Sequence, residues 1–323
     1  LKGEFLDFVP KDLSFIINKQ HNKEIIKIFN EISENLYLHE KNTNSLRTIR
    51  RIVQFISLLP IFHVQALASN GVLKERPLIV LTSDIHSDSI ISKLSSESIH
   101  NVYYKLHDWL KNKLMKKLNN QEPLTDEPDS IFPMDEKIIK DALTDEKILL
   151  IGSEQTRSEI KQNIINNRLN IYDQHKKNPN SNDYGELLAS VLNTIFLNES
   201  DWFPKVYYRQ LARKIGFFYP YYREQEKTIR VYPTTLIKDL LTRLMIKPDE
   251  GLIPLSDFLS RLRNKLGIIV GDVDDHKILK EHSLSVDMET LEKNKNSFVD
   301  DLEKMGLAKK YADNETLIGF ENV

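Results

Sequence analysis

Hydrophobic residues recur every three to four positions along most of this chain, so helices are the elements the pattern predicts most often. In the first third, Ile25, Ile28, Phe29, Ile32 and Leu36 form one apolar stripe. Leu46, Ile49, Ile52, Val53, Ile56 and Leu59 form a second, which Pro60 is expected to kink or end because proline lacks the amide a helix interior needs. Val102, Leu106, Trp109, Leu110 and Leu114 mark a third. It runs into Lys116 and Lys117, cations placed at the negative end of the helix dipole. Between the second and third stripes, Pro77 to Thr82 is an apolar run short enough for a buried strand.

The last third carries the clearest order of elements. Leu236, Ile237, Leu240, Leu241, Leu244 and Met245 line one side of a first helix, with Thr234 or Thr235 as its cap. Pro248, Asp249 and Gly251 then break the chain. Leu255, Phe258, Leu259, Leu262 and Leu266 predict a second helix closed by Gly267, and Ile268 to Val270 a short strand. Met288, Leu291, Phe298, Leu302 and Met305 mark the inward side of a third helix, stopped at Gly306. Leu307 to Tyr311 and Thr316 to Phe320 flank a polar turn and predict a hairpin. Three helices followed by a hairpin is the order of a winged helix. The expected fold is therefore mostly α, with a helical N-terminal domain and a C-terminal helical region ending in a winged-helix-like module.

Composition suggests where the domains divide. Residues 119–147 combine Pro123, Pro128 and Pro133 with a run of acids, and such sequence buries itself poorly. They are expected to link a helical domain over 1–118 to a second over 148–232, with the winged-helix-like domain over 233–323. Asp173 to Asp183 is expected to be an exposed loop.

Charge changes the picture for the winged helix. Between Leu284 and Lys304 six carboxylates face three lysines, a net of −3, and a phosphate backbone repels such a helix. The second helix does carry Arg261, Arg263 and Lys265. The most basic stretch lies elsewhere, from Lys205 to Arg230, where seven cations face two glutamates, a net of +5, with seven aromatic residues interleaved. Aromatic faces stack on unpaired bases while guanidinium groups meet phosphates. The candidate nucleic-acid contacts are Lys205, Arg209, Arg213, Lys214, Tyr221, Tyr222 and Arg223, joined by Arg261 and Arg263. The competing reading makes this a packed region, with Trp202, Phe203, Val206, Leu211 and Ile215 as core and tyrosines burying one face.

Over the whole chain of 323 residues the net charge is only −2, so any nucleic-acid contact must be a local patch. The absence of cysteine excludes disulfides and cysteine-based zinc sites or nucleophiles. The longest apolar run, Ile52 to Phe62, is too short to span a bilayer. With no leader signal legible, the expectation is a cytoplasmic protein without a membrane partner.

Candidate chemistry is fragmentary. Ser83-Asp84-Ile85-His86, following Leu78 to Leu81, resembles the first metal-binding motif of calcineurin-like metallophosphoesterases. Gly271-Asp272-Val273-Asp274-Asp275 resembles the second. That resemblance implies a metal-dependent phosphoesterase or nuclease built on Asp84, His86, Asp272 and Asp275, whose metals would generate hydroxide. The second motif, however, lies nearly 190 residues downstream, and the family's Gly-Asn-His and Gly-His-x-His segments are missing. Read as structure, Ser83 to Ser89 is a strand-to-helix turn and Gly271 to His276 a surface loop. Gln210 to Phe217 resembles the first helix and turn of a helix-turn-helix, with Pro220 falling inside the recognition helix that should follow. The nine histidines are scattered without ligand spacing, so no catalytic residue, metal or cofactor is assigned.

Taken together, Asp183-Tyr184-Gly185-Glu186, Arg209 to Pro220 and Phe258 to Gly271 resemble accessory subunits of bacterial antiphage defence operons, those without ATPase or nuclease motifs. The resemblance implies a cytosolic bacterial protein that works in a complex with protein partners and touches DNA while a partner cleaves or translocates. The expected function is a non-enzymatic assembly or nucleic-acid-binding subunit, with the metal-dependent phosphoesterase and a purely structural adaptor as alternatives.

Overall fold

The computed structural model describes residues 19–41, 46–69, 76–119 (apart from 85 and 87), 140, 144, 158–177, 190–191, 193–194, 204–221, 228–282, 284–312 and 315–320. The chain forms two compact units, residues 1–106 with 208–323 and residues 107–207. It is mostly helical.

In the first unit, α1 (Lys19–Glu40) and α2 (Leu46–Leu67) are joined by a short connection. α2 runs through Pro60, which therefore does not end it. Its buried side is Phe55, Leu58, Ile61 and Phe62, with Gln54 and Gln65 among them. The predicted stripe at Leu46, Ile49, Val53 and Ile56 faces outward instead.

The expected strand forms as β1 (Ile79–Val80) and leads into α3 (Ile90–Asn119). β1 pairs in parallel with β5 (Ile268–Ile269), in the register Ile79 with Ile268 and Val80 with Ile269. On its other side Leu81 forms a parallel bridge to Val231 of β3 (Arg230–Val231), itself antiparallel to β2 (Phe218–Tyr219). The join between β1 and β3 is completed from α3. The Val80 amide donates to Ser98 Oγ at 2.9 Å and the Val231 amide to Ser95 Oγ at 2.8 Å. These serines satisfy buried backbone donors that the short bridge leaves unpaired. One hydrophobic cluster, including Leu78, Val80, Ile91, Leu94, Ile269, Leu279 and Leu291, locks this sheet beneath its helices.

Downstream, α6 (Thr235–Met245) buries Ile237, Leu240, Leu241, Leu244 and Met245 of the face its spacing predicted, while Leu236, expected with them, is exposed. α1 lies against it, with Asn35 Nδ2 donating to the Leu244 carbonyl at 2.8 Å. β4 (Leu252–Pro254) follows, then α7 (Leu255–Arg261), extended by one π-helical turn over Leu262–Leu266. Gly267 ends it at φ 66°, where a Cβ would come within 2.5 Å of Gln65 Nε2. The carbonyls of this last turn are capped by a buried cation: Arg76 donates to those of Arg263, Asn264 and Lys265 at 2.9 to 3.0 Å. Burial lowers the Arg76 pKa to about 10.

After β5 the chain forms α8 (Val273–Glu281), where a surface loop was expected over Gly271 to His276. The reason is local. Asp272 caps the helix and Asp275 reaches back to the Asp272 amide, a reciprocal capping box. α9 (Met288–Lys304) follows, then the hairpin β6 (Ala308–Lys310) and β7 (Thr316–Gly319). Leu291, Phe298 and Leu302 of α9 are buried, while Met288, expected to point inward, is exposed. The hairpin takes β4 as its third strand in the antiparallel order β4-β7-β6. The strand predicted at Ile268 to Val270 serves the other sheet.

The second unit is described through α4 (Ser158–Lys176) and a few residues beside it. Arg168, Ile171 and Tyr172 of α4 are buried, and His175 Nε2 lies 3.2 Å from Thr194 Oγ1.

Candidate functional site

Parallel strands end with their carbonyls at one edge of a sheet, the usual place for ligands in α/β folds. Here that edge carries Ser83 and Asp84 after β1 and Gly271 and Asp272 after β5, the two metal-motif fragments. It is occupied by a side chain. Asn294, buried on α9, donates through Nδ2 to the Leu81 carbonyl at 2.8 Å and the Val270 carbonyl at 2.6 Å. Its Oδ1 accepts the Ser83 amide at 2.8 Å.

The motif carboxylates are engaged as well. Asp275 is buried and ion-paired to Arg263 at 2.6 Å, and it accepts the amides of Gly271 and Asp272 at 3.0 and 2.7 Å. Asp272 Oδ1 takes the Val273 amide at 2.9 Å. Asp84 Oδ1 accepts the His86 amide at 2.9 Å, an Asx turn. Among the described residues no group of three or more His, Asp or Glu side chains is placed to hold a metal ion. Asp84, His86, Asp272 and Asp275 are thus not brought together as a metal centre.

The basic aromatic segment is divided in use. α5 (Pro204–Lys214) carries Lys205, Arg209, Arg213 and Lys214, and Arg209 and Lys214 are exposed. Arg213 Nε donates to the Pro220 carbonyl. After Gly216 the chain enters β2 at Phe218–Tyr219, where the recognition helix of a helix-turn-helix was expected to begin. Tyr221 turns its hydroxyl to the Tyr232 carbonyl at 3.0 Å and packs edge-on to Tyr219. Burial pushes its pKa up. Tyr222 and Arg223 lie outside the described residues. Arg230 is fully buried with its guanidinium 4.6 Å from the Tyr219 ring centroid.

On α7 and its π turn, both candidate arginines have carboxylate partners. Arg261 forks onto Glu250 at 2.7 and 2.8 Å and also donates to the Met245 carbonyl. That hydrogen-bonded pair lowers the Glu250 pKa and raises that of Arg261. Arg263 holds Asp275 and lies 3.9 Å from Asp274.

The outer face of α9 mixes both signs: Glu289, Glu292, Asp300 and Glu303 are exposed along with Lys293 and Lys304, and Lys293 pairs with Glu289 at 2.6 Å. Lys310 of the hairpin folds back onto Asp300 at 2.5 Å and Glu303 at 3.1 Å. Lys238 of α6, itself buried, meets Asp301 at 2.6 Å and lies over the rings of Tyr232 and Phe298. Burial, then the carboxylates of Asp301 and Asp84, raise the Tyr232 pKa.

Sequence reasoning missed Asn294, Arg76, Ser95, Ser98 and Lys238. A signal existed for two of them. Asn294 lies three residues after Leu291 and four before Phe298, and Lys238 stands between Ile237 and Leu241, so both are polar residues on an inward face. Arg76 and the α3 serines acquire partners only through tertiary contacts. Compared with family models, curated proteins and solved structures, the chain matches none.

Proposed function

We propose that the chain is a non-enzymatic assembly subunit of a bacterial multi-protein complex, of the antiphage-defence kind that its second half resembles. Its α6 to β7 region is read as a winged helix adapted to protein contact. The order supports that reading: α6, β4, α7, α9, β6 and β7 follow the helix-strand-helix-helix-strand-strand sequence, with β5 and α8 inserted before the third helix. The observation that carries the proposal is the charge of α9. In that reading the helix takes the recognition position, with Glu289, Glu292, Asp300 and Glu303 exposed, Asp301 half-buried against Lys238, and the nearby hairpin cation Lys310 already paired with Asp300 and Glu303.

DNA carries a phosphate charge about every 1.7 Å of its axis, so inserting α9 into a groove sets like charges against each other. A protein partner with a basic surface suits the same helix. The test is co-purification with the products of neighbouring genes, alongside a DNA mobility shift at low salt. Stable complex formation without a groove-dependent shift is expected. DNA binding abolished by substitutions on the outer face of α9 would overturn the reading.

A second reading rests on Arg209 and Lys214, which stay exposed on α5. They support weak, sequence-independent nucleic-acid contact. It is tested by replacing both with Ala and measuring the salt dependence of single-strand binding, which should flatten if they meet phosphates. The metal-dependent alternative gains no support from Asp272 and Asp275, whose oxygens serve the α8 capping box. No described helix is long and apolar enough to cross a membrane.

A further inference from the structure

His39, in the last turn of α1, has both ring nitrogens committed. Nε2 lies 2.8 Å from the carbonyl of Ile246, the residue that caps α6, and it donates there only if it carries the ring proton. Nδ1 is then left with the lone pair, and it faces Nη1 of Arg243 at 3.5 Å. The contact is that of a neutral imidazole accepting from a guanidinium.

The same two side chains hold Phe320, the residue after β7. Its ring meets His39 edge-on, with centroids 4.8 Å apart, and the Arg243 guanidinium lies 4.5 Å from its centre. The Phe320 amide donates to the Gly251 carbonyl at 3.3 Å, a long bond. The end of the hairpin strand is therefore fixed largely by what His39 and Arg243 do.

Charge around the ring balances while the ring is neutral. α6 supplies Arg243 and Asp239, which lie 3.2 Å apart, and α1 supplies Glu40. α2 supplies Arg51, which reaches Glu40 at 2.7 Å and Asp239 at 2.9 Å. Among the described residues the end of β7 adds no titratable group. Two carboxylates thus answer two guanidinium groups. A proton on Nδ1 adds one more positive charge and sets one N–H against another, so the contact with Arg243 turns from attraction to repulsion. Burial, the largest influence, and Arg243 disfavour the imidazolium, outweighing the Ile246 carbonyl, Glu40 and Asp239, which favour it.

We propose that His39 works as an acid-sensitive clasp: a proton taken up at Nδ1 parts it from Arg243 and frees Phe320, so that the end of β7 comes loose from α1 and α6. The clasp does not depend on the assembly reading.

The experiment uses the full chain with 4-fluorophenylalanine at position 320, followed by fluorine NMR from about pH 8 to about pH 5, a window in which ordinary carboxylates stay ionised. The His39 ring protons are followed in the same samples. The resonance at 320 should move toward its position in the urea-unfolded chain, with the midpoint of His39 and below the ordinary value of about 6.5. Exchange of the Phe320 amide, corrected for its intrinsic pH dependence, should speed up at least about threefold by the acid end, without the urea dependence of global unfolding. His39→Gln keeps a donor for the Ile246 carbonyl but cannot titrate, and should leave position 320 indifferent to pH. Arg243→Gln removes the opposing charge and should raise the His39 midpoint.

A resonance at 320 that does not titrate, or that still titrates in His39→Gln, overturns the proposal. So does a His39 midpoint at or above the ordinary value, or one that Arg243→Gln leaves unmoved. Unchanged exchange at the Phe320 amide would mean that the charged ring swings into water and leaves β7 in place, which also overturns it. Loosening that follows global unfolding in urea does the same.

Discussion

Replacing Asn294 tests whether one side chain closes the open edge of the parallel sheet. In Asn294→Ala the carbonyls of Leu81 and Val270 and the amide of Ser83 lose partners now at 2.8, 2.6 and 2.8 Å. An unsatisfied buried polar group costs about 1–3 kcal/mol, so with two or three stranded the loss should be about 3–6 kcal/mol. That is a large part of the roughly 5–15 kcal/mol by which domains are stable. Asn294→Asp sharpens the test. It keeps an oxygen for the Ser83 amide but turns a second oxygen toward two carbonyls, which repel its charged form. The folded state then favours the protonated acid, and the folded pKa rises above the unfolded value of about 3.9. The penalty should be full at neutral pH and fade as pH falls through that raised value. Urea titrations at several pH values give the energies, and hydrogen exchange should show protection lost at Ser83 first. A loss below about 1 kcal/mol for Asn294→Ala would mean the edge is not held by this residue.

Three further perturbations probe neighbouring devices. Arg263→Ala should destabilise the fold by about 3–5 kcal/mol by stranding the buried Asp275 carboxylate, and the added change Asp275→Asn should recover part of that loss in denaturant titration. Gly271→Ala should fail to accumulate as folded protein or melt far lower, because at φ 135° a Cβ would approach the Leu291 carbonyl oxygen to 2.3 Å; circular dichroism checks this. His39 lies 2.8 Å from the Ile246 carbonyl with Arg243 beside it, and burial first, then that cation, lower its pKa against the opposing effects of the carbonyl, Glu40 and Asp239. Its neutral form therefore stabilises the fold, stability should fall as pH drops below about 6.5, and His39→Gln should flatten that part of the stability curve relative to wild type.

Local periodicity was enough to place α6, α7 and α9 and the terminal hairpin, because each buries a single face and a single face leaves a 3.6-residue or alternating signature. Thr234, which holds the N-cap position of α6 but makes no side-chain capping hydrogen bond, and Gly267 after α7 were legible for the same reason: helix ends and left-handed turns depend on the residues next to them. α2 shows where this stops. It is apolar on both sides, so its period identifies a helix but not which face is covered, and the stripe at Leu46 to Ile56 proved to be the open one. The metal-motif fragments were visible as residues, but their employment was not. Whether Asp275 binds an ion or an arginine depends on Arg263 lying across the capping box, and whether the sheet edge is open depends on Asn294 arriving from α9. The charge of α9 was countable from the chain, and the pairing of Lys310 with Asp300 and Glu303 came from the hairpin turning back on it. Sequence neighbours determine helices, turns and net charge. The partner of each buried charge, and the pairing of Ile79 with Ile268 across nearly two hundred residues, are decided only when distant segments are packed together, because a buried polar group takes whatever partner the fold brings within hydrogen-bond distance.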